Sequence, residues 1–279
     1  MSAATDAIAP GKVAVITGAA GGIGLAAARR FARAGMRVCL VDLDPASLDA
    51  AAATIEGEAV ALPCDVADRQ AMEALAATVA DRFGAVSVLM NNAGVGGGGD
   101  VLSNRDGWDR ILAVNLFGVL NGVQAFVPAM IAHGAPALVI NTGSKQGITQ
   151  PPGDTAYNVS KSGVKALTEG LAHTLRTQTE GRISAHLLIP GFTWTGMTAR
   201  GRGEQPPGAW SPDQVVDVMM TGIAAGDFYL LCPDNETTPE QDRRRIAWAA
   251  GDLIENRPAL SRWHPDHAAA FAAYMEDGR

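Results

Sequence analysis

The chain has 279 residues, of which 47% are hydrophobic and 18% charged, so it can bury one large core and is not a disordered polymer. With 22 basic and 29 acidic side chains its formal net charge is −7, which argues against binding nucleic acid mainly through phosphates. Three scattered cysteines, Cys39, Cys64 and Cys232, exclude a disulfide framework and a zinc cluster, and favour a reducing, cytoplasmic setting. No signal-peptide pattern is present and no apolar run reaches about 18 residues, so we expect no membrane span.

Short apolar runs alternate with longer helical stretches over the first two thirds of the chain. Six strands are predicted, at Lys12–Thr17, Arg37–Asp42, Ala59–Pro63, Val86–Met90, Ala137–Asn141 and Ile183–Ile189. Helices are predicted between them, at Ile23–Ala34, Pro45–Glu56, Arg69–Phe83, Arg105–Ala132 and Ala156–Gln178. Pro128, near the end of the fourth helix, is a potential kink.

Strands separated by helices predict right-handed β-α-β crossovers and a parallel sheet covered on both faces. The expected architecture is an α/β fold, a single-domain doubly wound parallel sheet (Rossmann fold) in three layers. In such sheets ligands bind beyond the carboxyl ends of the strands. We therefore expect one domain over residues 1–279, with the cofactor-binding and catalytic core at 12–195.

The pattern loosens after Pro190. Glycine, threonine, proline and tryptophan are frequent in Gly191–Trp210, which predicts a mobile flap, and we assign 196–227 to a substrate flap region. Residues 234–279 are expected to form a helical C-terminal extension. The elements predicted here are a helix at Pro212–Ala225, a seventh strand at Phe228–Cys232, and helices near Glu240–Glu255 and Pro265–Met275. The tract Gly96–Gly99 is expected to be a flexible loop.

A glycine-rich turn joins the first strand to the first helix. Within it, Gly22, Gly24 and Ala27 satisfy the G-x-G-x-x-A spacing, which lets backbone approach a pyrophosphate at a helix N-terminus. With 32 glycines in the chain, a tight turn without a ligand is the competing interpretation, and the position between an apolar strand and an alanine-rich helix favours the nucleotide.

Asp42 indicates which nucleotide binds. It ends the second strand, 20 residues beyond Gly22, where a carboxylate accepts hydrogen bonds from ribose hydroxyls and repels a 2′-phosphate. No Arg or Lys lies in Gly18–Gly24 to offset that repulsion, so NAD is favoured over NADP. The competing role, capping the next helix, suits Asp44 better because it directly precedes Pro45.

Tyr157 and Lys161 are spaced i, i+4 near the start of a predicted helix, so both can point into one cleft. A unit charge about 4 Å from a phenol contributes about 4 kcal/mol at an effective dielectric of about 20, so Lys161 is expected to lower the pKa of Tyr157. Ser144 follows the fifth strand and is placed to hold a substrate oxygen beside the phenol. Asn115, inside a predicted helix, is expected to hold a water that links Lys161 to solvent.

Seven motifs stand in order at suitable strand ends: TGAAGGIG at Thr17–Gly24, CDV at Cys64–Val66, NNAG at Asn91–Gly94, VN at Val114–Asn115, TGS at Thr142–Ser144, YNVSK at Tyr157–Lys161 and PGFTWT at Pro190–Thr195. Over about Lys12 to Thr195 the chain resembles the compact, single-domain branch of the short-chain dehydrogenase/reductase family.

The resemblance implies roles for individual residues. Tyr157 would be the general acid/base, Ser144 would orient the substrate oxygen, Lys161 would lower the tyrosine pKa and contact the nicotinamide ribose, and Asn115 would complete a proton relay. The implied cofactor-binding set is Gly18, Gly22, Ile23, Gly24, Asp42, Asp65, Val66, Asn92, Ala93, Gly94, Tyr157, Lys161, Pro190, Gly191, Thr193 and Thr195. No metal is expected, because His264 and His267 form the one close histidine pair and lack further ligands.

The chain also departs from the family pattern. Gly196 stands where proline is usual, the V-D-G-G ending of the seventh strand is absent, and about 45 residues replace a short tail. A homo-oligomer, dimer or tetramer, is expected, and the altered C-terminal end makes a tetramer an unsafe inference.

The expected reaction is NAD-dependent interconversion of a secondary alcohol and a ketone. Apolar side chains near the flap favour an aromatic, alicyclic or terpenoid-like substrate if they form a pocket wall instead of ordinary core: Phe192, Trp194, Met197, Trp210 and Met219. Gln146 is equally placed for substrate or solvent. The alternatives are an NADP-preferring carbonyl reductase and a non-catalytic nucleotide-sensing protein on the same fold.

Overall fold

A computed structural model of the chain describes residues 3–199 and 203–276. One parallel sheet runs through it, with strand order β3-β2-β1-β4-β5-β6-β7. Its strands are β1 (Val13–Thr17), β2 (Arg37–Asp42), β3 (Ala59–Pro63), β4 (Val86–Asn91), β5 (Ala137–Thr142), β6 (Ile183–Ile189) and β7 (Tyr229–Leu231). Because the chain passes from the outer strand β3 back to β4 beside β1, the strand order reverses between β1 and β4, which is where such sheets bind ligands.

Helices cover both faces of this sheet. The α-helices of the described ranges are α1 (Ala3–Ala7), α2 (Gly22–Arg33), α3 (Pro45–Ala52), α4 (Arg69–Phe83), α5 (Arg105–Ile111), α6 (Gly118–His133), α7 (Gln146–Thr149), α8 (Thr155–Thr179), α9 (Pro212–Ala225), α10 (Pro239–Ile254) and α11 (Ala268–Glu276). Two short 3₁₀ turns, Ser261–Trp263 and Pro265–His267, link α10 to α11. The predicted α/β, doubly wound parallel sheet is thereby confirmed, and the predicted bounds of most elements are shifted by only a few residues.

The core lies in two layers, one on each side of the sheet. Successive residues of a strand point to opposite faces, so Ala14 and Ile16 pack with α2 and α9 while Val13 and Val15 pack with α4 and α6. All five residues of β1 are buried, which explains why its sequence is apolar throughout and not alternating.

The long helix predicted over Arg105–Ala132 is interrupted. A π-helical segment, Leu112–Phe117, separates α5 from α6, whereas Pro128 lies inside α6 without breaking it. The prediction of a long helix is thus confirmed over Arg105–His133, but the sequence analysis did not predict the π-helical segment within it, which lies more than ten residues before the proline. The stretch Arg105–His133 is long and apolar enough to cross a membrane, because an 18-residue window within it has a mean hydropathy of 1.6. However, 44% of that window is buried, as in the core helix of a globular fold.

The part of the chain after β6 is irregular at first and then helical. A bridge between Thr193 and Trp210 closes the predicted flap segment, part of which, residues 200–202, lies outside the described residues. The C-terminal segment packs around Trp248, whose ring lies against those of Phe271 and Tyr274, and α10 contacts α7 beside the end of β5.

Candidate active site

One large cavity of about 650 Å³ opens at the carboxyl ends of β1, β2, β4, β5 and β6. Its wall contains every predicted cofactor-binding residue except Gly24, together with Ser144. Those residues are Gly18, Gly22, Ile23, Asp42, Asp65, Val66, Asn92, Ala93, Gly94, Tyr157, Lys161, Pro190, Gly191, Thr193 and Thr195. Gly24 and Asn115 lie behind the wall, so their effect on the site is through packing and hydrogen bonds.

The glycine turn allows α2 to begin directly against β1 and β4. Gly18 has φ +66°, and a Cβ there would lie 2.8 Å from the Cα of Ala93. A Cβ on Gly24 would lie 2.2 Å from the carbonyl oxygen of Gly18. The first turn of α2, at Gly22, has no side-chain cap, so its N–H groups lie at the cavity wall as an anion site would require.

Two threonines that the sequence analysis did not assign to the site hold the strand ends together. The hydroxyl of Thr17 accepts hydrogen bonds from the N–H groups of Asn92 (2.9 Å) and Ala93 (3.1 Å). The Asn92 amide donates back to the Thr17 carbonyl (3.1 Å), and Thr142 donates to the Asn92 side-chain oxygen (3.2 Å). Thr17 and Thr142 are the first residues of the TGAAGGIG and TGS motifs, so the motifs could have indicated these roles.

Asp42 and Asp65 line one end of the cavity, which we call the adenine end because the family resemblance implies that the adenosine half of the cofactor would bind there. The two oxygens of Asp42 accept from the N–H groups of Ala20 (3.0 Å) and Leu43 (2.8 Å), so this side chain also fixes the glycine turn. Asp44 accepts from Ser47 (3.0 Å) as the N-cap of α3, which confirms its predicted capping role, whereas the predicted binding of ribose by Asp42 stays a prediction. Among the described wall residues at this end there is no Lys or Arg.

Tyr157 and Lys161 define the reaction end of the cavity. Asp154 caps α8 by accepting from the Tyr157 N–H (3.2 Å), so the helix begins immediately before the phenol. The Lys161 ammonium lies 5.7 Å from the Tyr157 ring centre and donates to the Thr142 carbonyl (2.8 Å). Ser144 accepts a hydrogen bond from the Gln146 N–H (3.2 Å), and its hydroxyl lies near enough to the Tyr157 phenol to lower the pKa of that phenol.

The pKa values at the reaction end differ from the sequence-based expectation. Burial raises the pKa of Tyr157 above its ordinary value, and the hydrogen bond from Ser144 only partly offsets this, while the charge of Asp154 adds to it. Lys161 is itself buried, which lowers its own pKa to about 8. The expected lowering of the tyrosine pKa by Lys161 is thus not observed, because desolvation dominates for both groups.

Asn115 lies within the π-helical segment and is fully buried. Its side-chain oxygen accepts from the Val95 N–H (2.8 Å), and its amide donates to the Val95 carbonyl (2.9 Å) and to the Ser160 hydroxyl (3.3 Å). The side chain therefore holds the loop that follows β4. Its predicted part in a proton relay stays a prediction.

Asp154 is a wall residue that the sequence analysis did not assign. Its second carboxylate oxygen accepts from the N–H groups of Gly97 (3.0 Å) and Gly98 (3.4 Å), which ties the glycine tract to the start of α8. A Cβ on Gly98 would lie 2.5 Å from that of Ala156, so the tract packs closely there. An aspartate directly before a helix is a favoured N-cap residue, so the sequence could have indicated the capping role of Asp154.

The proposed apolar wall is only partly formed by the predicted residues. Phe192 and Met197 line the cavity, whereas Met219 is buried in the core and Trp210 packs against it. Trp194 does not contribute to the wall either. The polar wall residues at this end include Lys145, Gln146 and Asp154 in addition to Ser144, Tyr157 and Lys161. No group of three metal-ligating side chains occurs in the part of the chain that the structure describes.

Comparisons with known proteins agree with this geometry. The sequence profile described as short chain dehydrogenase matches residues 12–206. Galactitol 2-dehydrogenase (L-tagatose-forming) of Cereibacter sphaeroides is 40% identical over 70% of this chain and 76% of its own length. 1-Deoxy-11-beta-hydroxypentalenate dehydrogenase of Streptomyces arenae is 33% identical over 90% of this chain and 93% of its own length.

A solved structure from Burkholderia phymatum, a short chain dehydrogenase/reductase in complex with NAD, superposes with a TM-score of 0.80. It is 33% identical and covers 89% of this chain and 96% of the other. The fold and the site thus define an NAD(P)-binding oxidoreductase that acts on secondary alcohols or ketones. The chain belongs to the short-chain dehydrogenase/reductase family, whose solved members include complexes with NAD and with NADP.

Proposed function

We propose that the chain is an NAD-dependent dehydrogenase that interconverts an apolar secondary alcohol and its ketone, working as one domain over residues 1–279. The observation that carries the proposal is that Tyr157, Ser144 and the buried Lys161 line the same end of one large cavity. A phenol, a second hydroxyl and an ammonium group with a lowered pKa therefore lie at the same end of the cavity. A protein that only senses nucleotide has no need of that arrangement.

The wall residues fit a dinucleotide. Glycine backbone and the uncapped start of α2 suit a pyrophosphate, and the Asp42 carboxylate beside them suits ribose hydroxyls. When bound, the nicotinamide would supply hydride acceptance or donation at the substrate carbon. Pro190, Gly191, Thr193 and Thr195 line the opposite wall, where they would border that ring.

The chain's own residues would handle the proton. During alcohol oxidation Tyr157, as the phenolate, would accept the substrate's hydroxyl proton while Ser144 holds the substrate oxygen; during ketone reduction the phenol would donate that proton to the substrate oxygen, which Ser144 again holds. Lys161, whose pKa is about 8, can exchange a proton near neutral pH and so pass it on from the phenol. Asn115 supports this end indirectly, since a Cβ on Gly94 would lie 3.4 Å from the side-chain oxygen of Asn115 and 3.7 Å from the Lys161 ammonium.

NAD is the proposed cofactor because of the charge at the adenine end. Asp42 and Asp65 lie there, and the described wall residues around them include no basic side chain. A 2′-phosphate would meet the Asp42 carboxylate without a compensating cation, which disfavours NADP.

An apolar substrate is proposed because Phe192, Met197 and Val95 line the reaction end. The relative named for a hydroxypentalenate matches 90% of this chain, whereas the galactitol enzyme matches 70%. Gln146 and Asp154 at the same end make a polyol the second candidate. A homo-oligomer, dimer or tetramer, stays a prediction that light scattering would test.

The experiment is an absorbance assay for NADH or NADPH with cyclohexanol, 1-phenylethanol, borneol and galactitol. We expect turnover of at least one of the first three alcohols, with kcat/KM for NAD at least about tenfold above that for NADP, equivalent to about 1.4 kcal/mol. If galactitol is the one alcohol of the panel that is turned over, the proposed substrate class changes from an apolar alcohol to a polyol. An NADP preference would refute the role of Asp42, and nucleotide binding without any turnover would favour the sensing protein.

A further inference from the structure

Lys145, the residue after Ser144, lines the reaction end of the cavity, and its ammonium belongs to a cluster of charges that the C-terminal segment completes behind that wall. Its ammonium lies 2.6 Å from an oxygen of Asp242 and 3.4 Å from an oxygen of Asp234. The exposed fractions of these three side chains are 18%, 5% and 9% respectively. Asp234 follows β7 and Asp242 lies on α10, so the C-terminal segment supplies both carboxylates.

The cluster connects two loops at the reaction end. The same Asp234 oxygen that faces Lys145 also accepts from the Phe192 N–H (3.3 Å), and the Lys145 N–H donates to the Pro190 carbonyl (3.5 Å). A Cβ on Gly191 would lie 2.8 Å from that Asp234 oxygen and 3.0 Å from the Lys145 ammonium. The loop after β6 and the loop that carries Ser144 are therefore held by one ammonium group.

Helix α7 transmits this constraint toward the phenol. It follows Ser144 and lies between α8 and α10. A Cβ on Gly147 would lie 2.6 Å from the backbone carbonyl carbon of Lys161, so α7 and the catalytic helix are in close contact. On its other side, Asp242 reaches across from α10 to Lys145.

The charges of the cluster are costly to bury. Burial raises the pKa of Asp242 more than its hydrogen bond with Lys145 lowers it, and Asp234 adds to the increase. For Asp234, Lys145 and backbone N–H groups outweigh burial and lower the pKa. Arg245, which donates to Thr237 (2.9 Å), adds a positive charge near Asp242. A buried ion pair is weak evidence for stability, and this one fits better as a geometric constraint.

We propose that Lys145 and Asp242 are positioning residues through which the C-terminal segment holds Ser144 beside Tyr157. The inference rests on the proposed function, because it assigns these residues an effect on the same reaction. A displacement of about 1 Å at a reacting group can cost on the order of a hundredfold in rate. The cluster is close to Ser144 and remote from Asp42, so its loss should affect the chemical step and not the binding of the nucleotide.

The test compares Asp242→Asn with Arg243→Ala, a control that removes an exposed ion pair with Glu240 on the same helix. With NAD and the best alcohol of the panel, we expect Asp242→Asn to lower kcat about tenfold. The Kd for NAD should stay within about twofold, and the control should match the wild type. In a Ser144→Ala background, with enzyme raised until turnover is measurable, Asp242→Asn should cause no further loss of kcat.

Two results would overturn the inference: an unchanged kcat in Asp242→Asn, or a kcat in the double variant that is lowered by the product of the two single-variant losses. If Asp242→Asn does not fold, Asp242→Glu keeps the charge and shifts the carboxylate by one methylene, and the same comparisons apply to it. If the wild type turns over no alcohol of the panel, the proposed function fails first. An active wild type with an unaffected Asp242→Asn would overturn this inference alone.

Discussion

The two ends of the cavity are built differently. At the adenine end, Asp42 and Asp65 remain partly or fully accessible to solvent, and backbone N–H groups hold their carboxylates in place. At the reaction end, burial raises the pKa of Tyr157 and lowers that of Lys161. Recognition of a polar ligand needs acceptors in fixed positions, whereas proton transfer near neutral pH needs a group whose pKa lies near neutrality, and at this end burial gives Lys161 such a pKa.

The largest effect should follow from removing the phenolic hydroxyl. Tyr157→Phe is expected to lower kcat by about 10³-fold, because general acid/base catalysis contributes 10² to 10⁴-fold in typical cases. NADH binding, measured by fluorescence titration, should be retained, since the adenine end is untouched. If nucleotide binding is lost together with turnover, Tyr157 is structural and the contrast between the two ends fails.

Lys161→Met should change how stability depends on pH. The lysine pKa is about 8 in the folded protein and 10.5 ordinarily, so the unfolded chain binds this proton more tightly. The wild type is therefore penalised below pH 8 and gains stability as the pH rises toward 10.5. Relative to Lys161→Met, it should gain about 2 kcal/mol between about pH 7.5 and 9.5 in urea unfolding. Parallel pH profiles for the two proteins would refute the buried ammonium.

Gly24→Ala should destabilise the glycine turn by about 2 kcal/mol, a typical cost of overpacking. The added Cβ would overlap the Gly18 carbonyl oxygen, from which it would lie 2.2 Å. Gly21→Ala is the matched control, because a Cβ there meets nothing within 4 Å and its φ of −171° suits any residue. Urea unfolding of both variants gives the comparison, and equal stabilities would contradict the close packing.

The smallest effect concerns the choice of nucleotide. Asp42→Asn should narrow the ratio of kcat/KM for NAD over NADP by about tenfold, or about 1.4 kcal/mol, because it removes the repulsive charge. Asp44→Asn keeps a competent N-cap on α3 and should leave that ratio unchanged. An equal change in both variants would mean that the general negative field, and not Asp42, selects the cofactor.

The adenine end and most of the sheet were predictable because their signals are local. The run VAVIT of β1 is apolar because both faces of the strand are buried, and Asp42 is the last residue of its strand. Asp44 precedes Pro45, so its capping role could also be read from neighbouring residues.

The features that were missed depend on contacts between distant residues. The π-helical segment LAVNLF has ordinary helix-compatible residues, and what sets it apart is the pairing of Asn115 with Val95 across a loop. Lys145 and Asp242 are separated by most of the second half of the chain, and no local sequence pattern predicts their ion pair. Helices α1 and α7 are too short to show a periodic pattern.

The π-helical segment also restricts how this chain can vary in length. A π-helical turn holds about one residue more than an α-helical turn, so deleting one residue between 112 and 117 would let α5 and α6 merge at regular pitch. Because the wide turn already holds the extra residue, α6 would keep its orientation after that deletion, whereas the same deletion within regular α-helix, between 118 and 121, would rotate everything beyond by about 100° about the helix axis. Gly122, whose Cβ position would lie 2.1 Å from Asn91 Oδ1, could not keep its neighbour after such a rotation, so the π-helical segment is the part of this helix where the loss of one residue leaves the contact between α6 and β4 in place.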